Sequence, residues 1–172
     1  MTMRRETGTA TTVAVGYPVV TQDGEKLGEV KETRGRFFKV DTPMEPDYWL
    51  PSAIVRSTAE QLVVLSVAKD AIGDYMVSDP DAYRDWPEVS ERYRTVWVAR
   101  PDASQGRWED DEPAYRYGYE RRADPRYSGR SWDEVERDLQ TDYPSWRQRR
   151  GYPAGEADWA RARDSVRGGW DR

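Results

Sequence analysis

Two hydrophobic periodicities divide this chain. From Tyr17 to Val67 the apolar residues come in short, β-branched runs separated by turn residues, and Arg36 to Asp41 sets Phe38 and Val40 on one face with Phe37 and Lys39 on the other. Beyond Pro113 apolar positions recur every three or four residues, as they do on one face of a helix. The pattern therefore predicts an α+β protein, with strands first and helices last.

In the first region, Tyr17–Thr21 predicts a strand, and Asp23-Gly24 a hairpin turn, because glycine adopts positive φ without a steric penalty. Strands are expected over Leu27–Thr33 and Arg36–Asp41, joined at Arg34-Gly35. Pro43 and Pro46 mark a loop, Tyr48-Trp49-Leu50 a short strand stopped by Pro51, and Ser52–Val55 a turn plugging one end. Gln61–Val67 is the most apolar strand. So many short strands in so few residues predict a small closed antiparallel barrel, since closure removes exposed edges.

The chain then changes character. Between Gly73 and Glu112 there are five arginines against eleven acids, and the segment 77–112 reads as an acidic linker with one possible strand at Arg94–Ala99. From Pro113 the apolar residues are almost all Tyr and Trp. Ser131 and Glu134 form a capping box, followed by the stripe Trp132, Val135, Leu139, Tyr143 up to Pro144, where the helix is expected to break or restart. A later helix from about Glu156 repeats the stripe as Trp159, Ala162, Val166, Trp170, and Ala114–Arg122 supplies a third. The expected organisation is a flexible arm over 1–15, a barrel over 16–76, the linker over 77–112 and a helical domain over 113–172.

Composition narrows the chemistry. Cysteine and histidine are both absent from the 172 residues, which removes disulfides, thiolate nucleophiles, imidazole bases and the usual zinc ligands. No phosphate-binding glycine loop is present, and Gly168-Gly169 follows no strand. Asp79 with Asp81, and the run Glu109–Glu112, are the only acidic groupings suited to a hard cation, and neither has the spacing of a calcium loop. The reading is therefore of a non-enzymatic protein with no cofactor and no metal. No apolar stretch approaches the roughly 20 residues of a membrane helix, so a soluble, cytoplasmic protein without membrane insertion is expected.

Two surfaces remain as candidates. Strand alternation directs Phe37 and Trp49 outward, either as a partner-binding patch or as the face that receives the helical tail, and Tyr117 falls off the face of Tyr115 and Tyr119 and is expected to stay exposed. Arginines beside aromatic rings suit single-stranded nucleic acid, and Arg147, Arg149 and Arg150 are the best positions for it.

The Asp23-Gly24 turn, Gly28 and Val30, the run Tyr48-Trp49-Leu50-Pro51 with Ile54, and Leu62-Val63-Val64-Leu65 resemble the PRC-barrel superfamily, over about a third of the chain. The segments Tyr115–Tyr119, Asp124–Tyr127, Trp132–Glu136 and Arg167–Trp170 resemble the aromatic helical tail that follows barrels in its bacterial stress-associated branch. That superfamily includes the cytoplasmic barrel of the photosynthetic reaction-centre H subunit and a barrel of a ribosome maturation factor. The resemblance implies a docking module without catalytic residues, in a stress-related role, binding polypeptide partners. The ribosome maturation factor suggests the alternative, association with RNA or single-stranded DNA.

Overall fold

The computed structural model describes residues 12–153 and 158–171. The chain divides into two compact units, one ending at Ile72 and the next beginning at Gly73. Most of the expected arm, and the expected start of the last helix at Glu156, lie outside the described residues.

The first unit is a six-stranded sheet. Its strands are β1 (Pro18–Val20), β2 (Lys26–Arg34), β3 (Phe37–Asp41), β4 (Tyr48–Pro51), β5 (Val55–Ser57) and β6 (Val63–Leu65), in the spatial order β4-β3-β2-β1-β6-β5. The expected meander of β1, β2 and β3 is present, with Val19 opposite Gly28 and Val30 opposite Val40. Gly28 is required where the strands meet, because a Cβ there would lie 2.0 Å from the Asp41 carbonyl oxygen. Thr21 closes the hairpin, its amide donating to the Glu25 carbonyl and its hydroxyl to Asp23.

Two features depart from the expected barrel. β1 and β6 pair in parallel, so the sheet is mixed, and β4 and β5 do not pair, so it is open. β5 was not legible in the sequence, being three residues long with only partly buried valine and serine. The open sheet is nevertheless curled. Only Ser52–Ile54, a 3-10 turn, separates the end of β4 from the start of β5. Four Cα steps span at most about 15 Å, whereas five strand spacings in a flat sheet would put these edges about 24 Å apart. Val19, Val30, Phe38, Val40, Leu50, Val63 and Leu65 fill the interior of that curl.

The second unit is helical: α1 (Trp86–Val98), α2 (Trp108–Ala123), α3 (Trp132–Arg149) and α4 (Trp159–Trp170). The expected acidic linker is thus corrected. It holds all of α1, which takes up Arg94–Val98 of the stretch expected as a strand and is capped by Ala99, together with the first turn of α2. Four charged residues in α1 masked the stripe Trp86, Val89, Tyr93, Trp97, which is its buried face. Pro87 stands in the first turn, where a missing N–H costs nothing. α3 begins at the expected capping box, Glu134 accepting from the Ser131 amide at 2.7 Å. It also runs unbroken through Pro144, which sits on the exposed side of the helix.

Two cores flank α2. One gathers Trp86, Tyr93, Trp97, Trp108 and Tyr115; the other gathers Tyr117, Trp132, Val135, Leu139, Tyr143, Trp146, Val166 and Trp170. Aromatic rings replace the missing aliphatics in both, for example Trp86 on Tyr93 at 5.3 Å and Tyr117 against Trp146 at 5.0 Å. The acidic run is used internally: the Trp97 indole donates to Asp111 at 2.7 Å and the Trp86 indole to Glu112 at 2.8 Å.

Candidate functional site

The sequence-predicted partner residues are all buried. Phe37 is 3% exposed, with the Arg36 guanidinium over its ring at 4.9 Å. Trp49 is 5% exposed, because its pairing partner Lys39 and the nearby Arg34 both reach over its ring, at 4.9 and 5.0 Å. Tyr117 has no exposure at all. α2 is covered on two sides, so the face opposite Tyr115 and Tyr119 enters the second core instead of solvent. The single proton of the Tyr117 hydroxyl has two acceptors within reach, the Leu139 carbonyl at 3.0 Å and Asp142 at 2.9 Å, and burial pushes its phenol pKa far up.

The three arginines proposed for nucleic acid are likewise committed. Arg147 is 3% exposed and donates to the Tyr143 hydroxyl at 3.3 Å and the Pro153 carbonyl at 3.2 Å. Arg149 pairs with Asp74 at 2.8 Å and Asp142 at 3.2 Å. Arg150 pairs with Glu120 at 3.0 Å and lies over the Tyr75 ring at 4.9 Å. A phosphate backbone would have to break these contacts before it gained any.

Arg149 and Arg150 belong to a network that holds the helical unit together. At its centre Arg121, 1% exposed, forks between Asp74 and Asp142, each at 2.7 Å, and approaches Asp124 at 3.7 Å. Asp74 also receives Arg149, and Glu120 receives Arg116 at 2.8 Å, Arg150, and the Trp146 indole at 3.1 Å. Burial would push the Asp142 carboxyl up, but Arg121, Tyr117 and Arg149 outweigh it and hold the pKa below the ordinary aspartate value. Burial likewise works against charge on Arg121, and its hydroxyl and carboxylate neighbours more than restore it. Every charge at this centre faces an opposite one, so the cluster is built to stay ionised and to fix three segments far apart in the chain. Sequence reasoning missed Asp74, Glu120, Arg121 and Asp142, and no local signal marked them, because Asp74 lies 47 positions from Arg121 and 75 from Arg149.

The acids considered for a cation are also placed. Asp79 Oδ1 accepts from the amides of Asp81 and Ala82, turning the chain ahead of α1, and no group of three or more acidic side chains suited to a metal occurs among the described residues. Among the same residues no helix is long and apolar enough to cross a membrane.

What remains is the sheet's open side. The Ser52 amide donates to the Arg36 carbonyl at 2.7 Å, which fixes the alternation along the β3–β4 ladder. In an antiparallel pair every second residue turns its N–H and C=O away from its neighbour strand. Leu50 and Tyr48 therefore bond to β3, while the Trp49 N–H and C=O and the Pro51 C=O face away from it. Pro51 stands in β4 without loss, because its missing N–H falls on that free side.

Comparison of the chain with family models, with curated proteins and with solved structures gives no match.

Proposed function

We propose that this is a non-enzymatic protein that binds extended polypeptide segments by strand addition along β4. The observation that carries the reading is the unclosed sheet, in which the Trp49 peptide group has no sheet neighbour; Tyr48, Trp49 and Leu50 are buried, so docking requires the β4 edge to be uncovered first. An extended segment laid there gains main-chain hydrogen bonds, a mode of recognition that needs little sequence specificity. Pro51 at the same edge discourages another copy of β4 from pairing along its full length, leaving a short docking strand. The paired state of the cluster around Arg121 supports a structural role for the helical unit. A stress-related role for such binding is what the resemblance to PRC barrels implies.

Titration of the full chain with a reduced and alkylated model polypeptide, followed by amide hydrogen exchange, tests the reading. Slowing of exchange at the Trp49 amide by about tenfold or more is expected on binding, since a new hydrogen bond closes that site. Absence of binding, or binding that leaves the Trp49 amide unchanged, overturns it.

A further inference from the structure

A cavity of about 250 Å3 opens on the helical unit between the turn ahead of α1 and the last turn of α2. Its wall is the stacked pair Tyr83 and Tyr119, whose ring centroids lie 5.8 Å apart at 26°. Tyr119 is held in place by its hydroxyl, which donates to the Arg84 carbonyl at 2.7 Å and accepts from the Arg84 amide at 3.2 Å. Ser78, Asp79 and Arg122 supply the polar part of the lining.

The two charges differ in how far they are engaged. Asp79 Oδ1 is occupied by the amides of Asp81 and Ala82, at 3.0 and 3.3 Å. Arg122 lies over the Trp170 ring at 5.1 Å and, among the described residues, has no carboxylate partner. Its neighbours in sequence contrast with it, since Arg121 and Arg126 are both tied to acids. A guanidinium without a counter-ion beside an aromatic wall recognises a flat apolar group that carries an anion. The volume falls just below the roughly 300 Å3 at which pockets for drug-sized ligands begin, which limits the ligand to a single ring with a short acidic arm.

We propose that this cavity binds a monocyclic aromatic carboxylate, its ring against Tyr83 and Tyr119 and its carboxylate on Arg122. The site is separate from the β4 edge and stands whether or not that edge binds polypeptide.

The test is an NMR titration of the full chain with 3-phenylpropionate as the probe, reading the amides of Ala82 and Ala123 in the cavity lining. Saturable shifts are expected with phenylpropionate and none at the same concentrations with phenethylamine, which carries the same ring and the opposite charge. Arg122→Gln is expected to weaken binding about tenfold, the scale of a lost charge-assisted hydrogen bond. Asp79→Asn keeps the oxygen that caps the turn and removes the competing negative charge, so it is expected to tighten binding about two- to threefold. This second variant carries the test if the first perturbs the Trp170 contact. Phenethylamine binding as well as phenylpropionate, Asp79→Asn weakening the complex, or no saturable shift at all overturns the proposal.

Discussion

A Cβ placed on Gly118 would lie 2.0 Å from the carbonyl oxygen of Val166. The same closeness recurs one turn along, where a Cβ on Gly169 would lie 2.0 Å from the Tyr115 carbonyl oxygen. α2 and α4 therefore touch backbone to backbone, and these glycines are spacers with no chemical role.

Gly118→Ala and Gly169→Ala should each destabilise the helical unit by about 2–3 kcal/mol, because relief requires the two helices to separate, and that outweighs the gain in helix propensity of about 1 kcal/mol. Gly168→Ala should cost less, since its Cβ would meet only the edge of the Tyr115 ring, at 2.8 Å, and a ring edge can shift where a backbone cannot. Thermal unfolding of the three variants checks the order.

Arg121→Met should destabilise by about 3–5 kcal/mol, because it strands two carboxylates at least partly out of water instead of removing a neutral pair. Arg130→Met, which breaks an exposed 3.4 Å pair with Asp138, should change stability by less than about 1 kcal/mol. Urea unfolding of both variants distinguishes a keystone from a surface pair.

Acid should loosen the helical unit through Asp142. Its pKa is lowered in the folded state, so the unfolded chain takes up the proton first as pH falls. The stabilisation is complete above the unfolded value of about 3.9 and is lost as pH drops through the folded value below it. Asp142→Asn should therefore be less stable than the parent at neutral pH, with a shallower decline between about pH 5 and pH 2. Urea midpoints measured across that range check the slope.

Pro51→Thr adds an N–H to the free side of β4. The expected outcome is concentration-dependent self-association with little change in unfolding midpoint, because a Thr at an edge position adds a pairing site and removes no core contact. Light scattering across a dilution series reads it. A variant that stays as dispersed as the parent would show that the edge is protected by something other than the proline.

Much of the local structure was legible because it is encoded locally. The Asp23-Gly24 turn, the strands β2 and β3, the capping box at Ser131 and the stripe through Trp132, Val135, Leu139 and Tyr143 each rest on residues close in the chain, and each forms where its pattern puts it. α1 was hidden by charge: its four buried apolar side chains are spread among acids and arginines that read as linker. The curl of the sheet was legible from the crowding of short strands; its failure to close was not, since that depends on whether β4 and β5 come within bonding distance.

The sequence by itself thus determined an α+β chain with strands first, an aromatic helical part after them, and no cysteine or histidine chemistry. Tertiary structure alone decided which residues meet. Tyr117 is buried because α2 has a core on each side, and periodicity along one helix can report only one of them. Arg147, Arg149 and Arg150 look like a basic patch in the chain and are bonded to Tyr143, Asp74 and Glu120 in the fold, because ion pairing depends on distances in space that residue spacing does not set. Arg122, one residue beyond the buried Arg121, lies over the Trp170 ring and is left without a carboxylate partner among the described residues. A helix turns by about 100° per residue, and that rotation carries Arg122 away from the acids that hold Arg121.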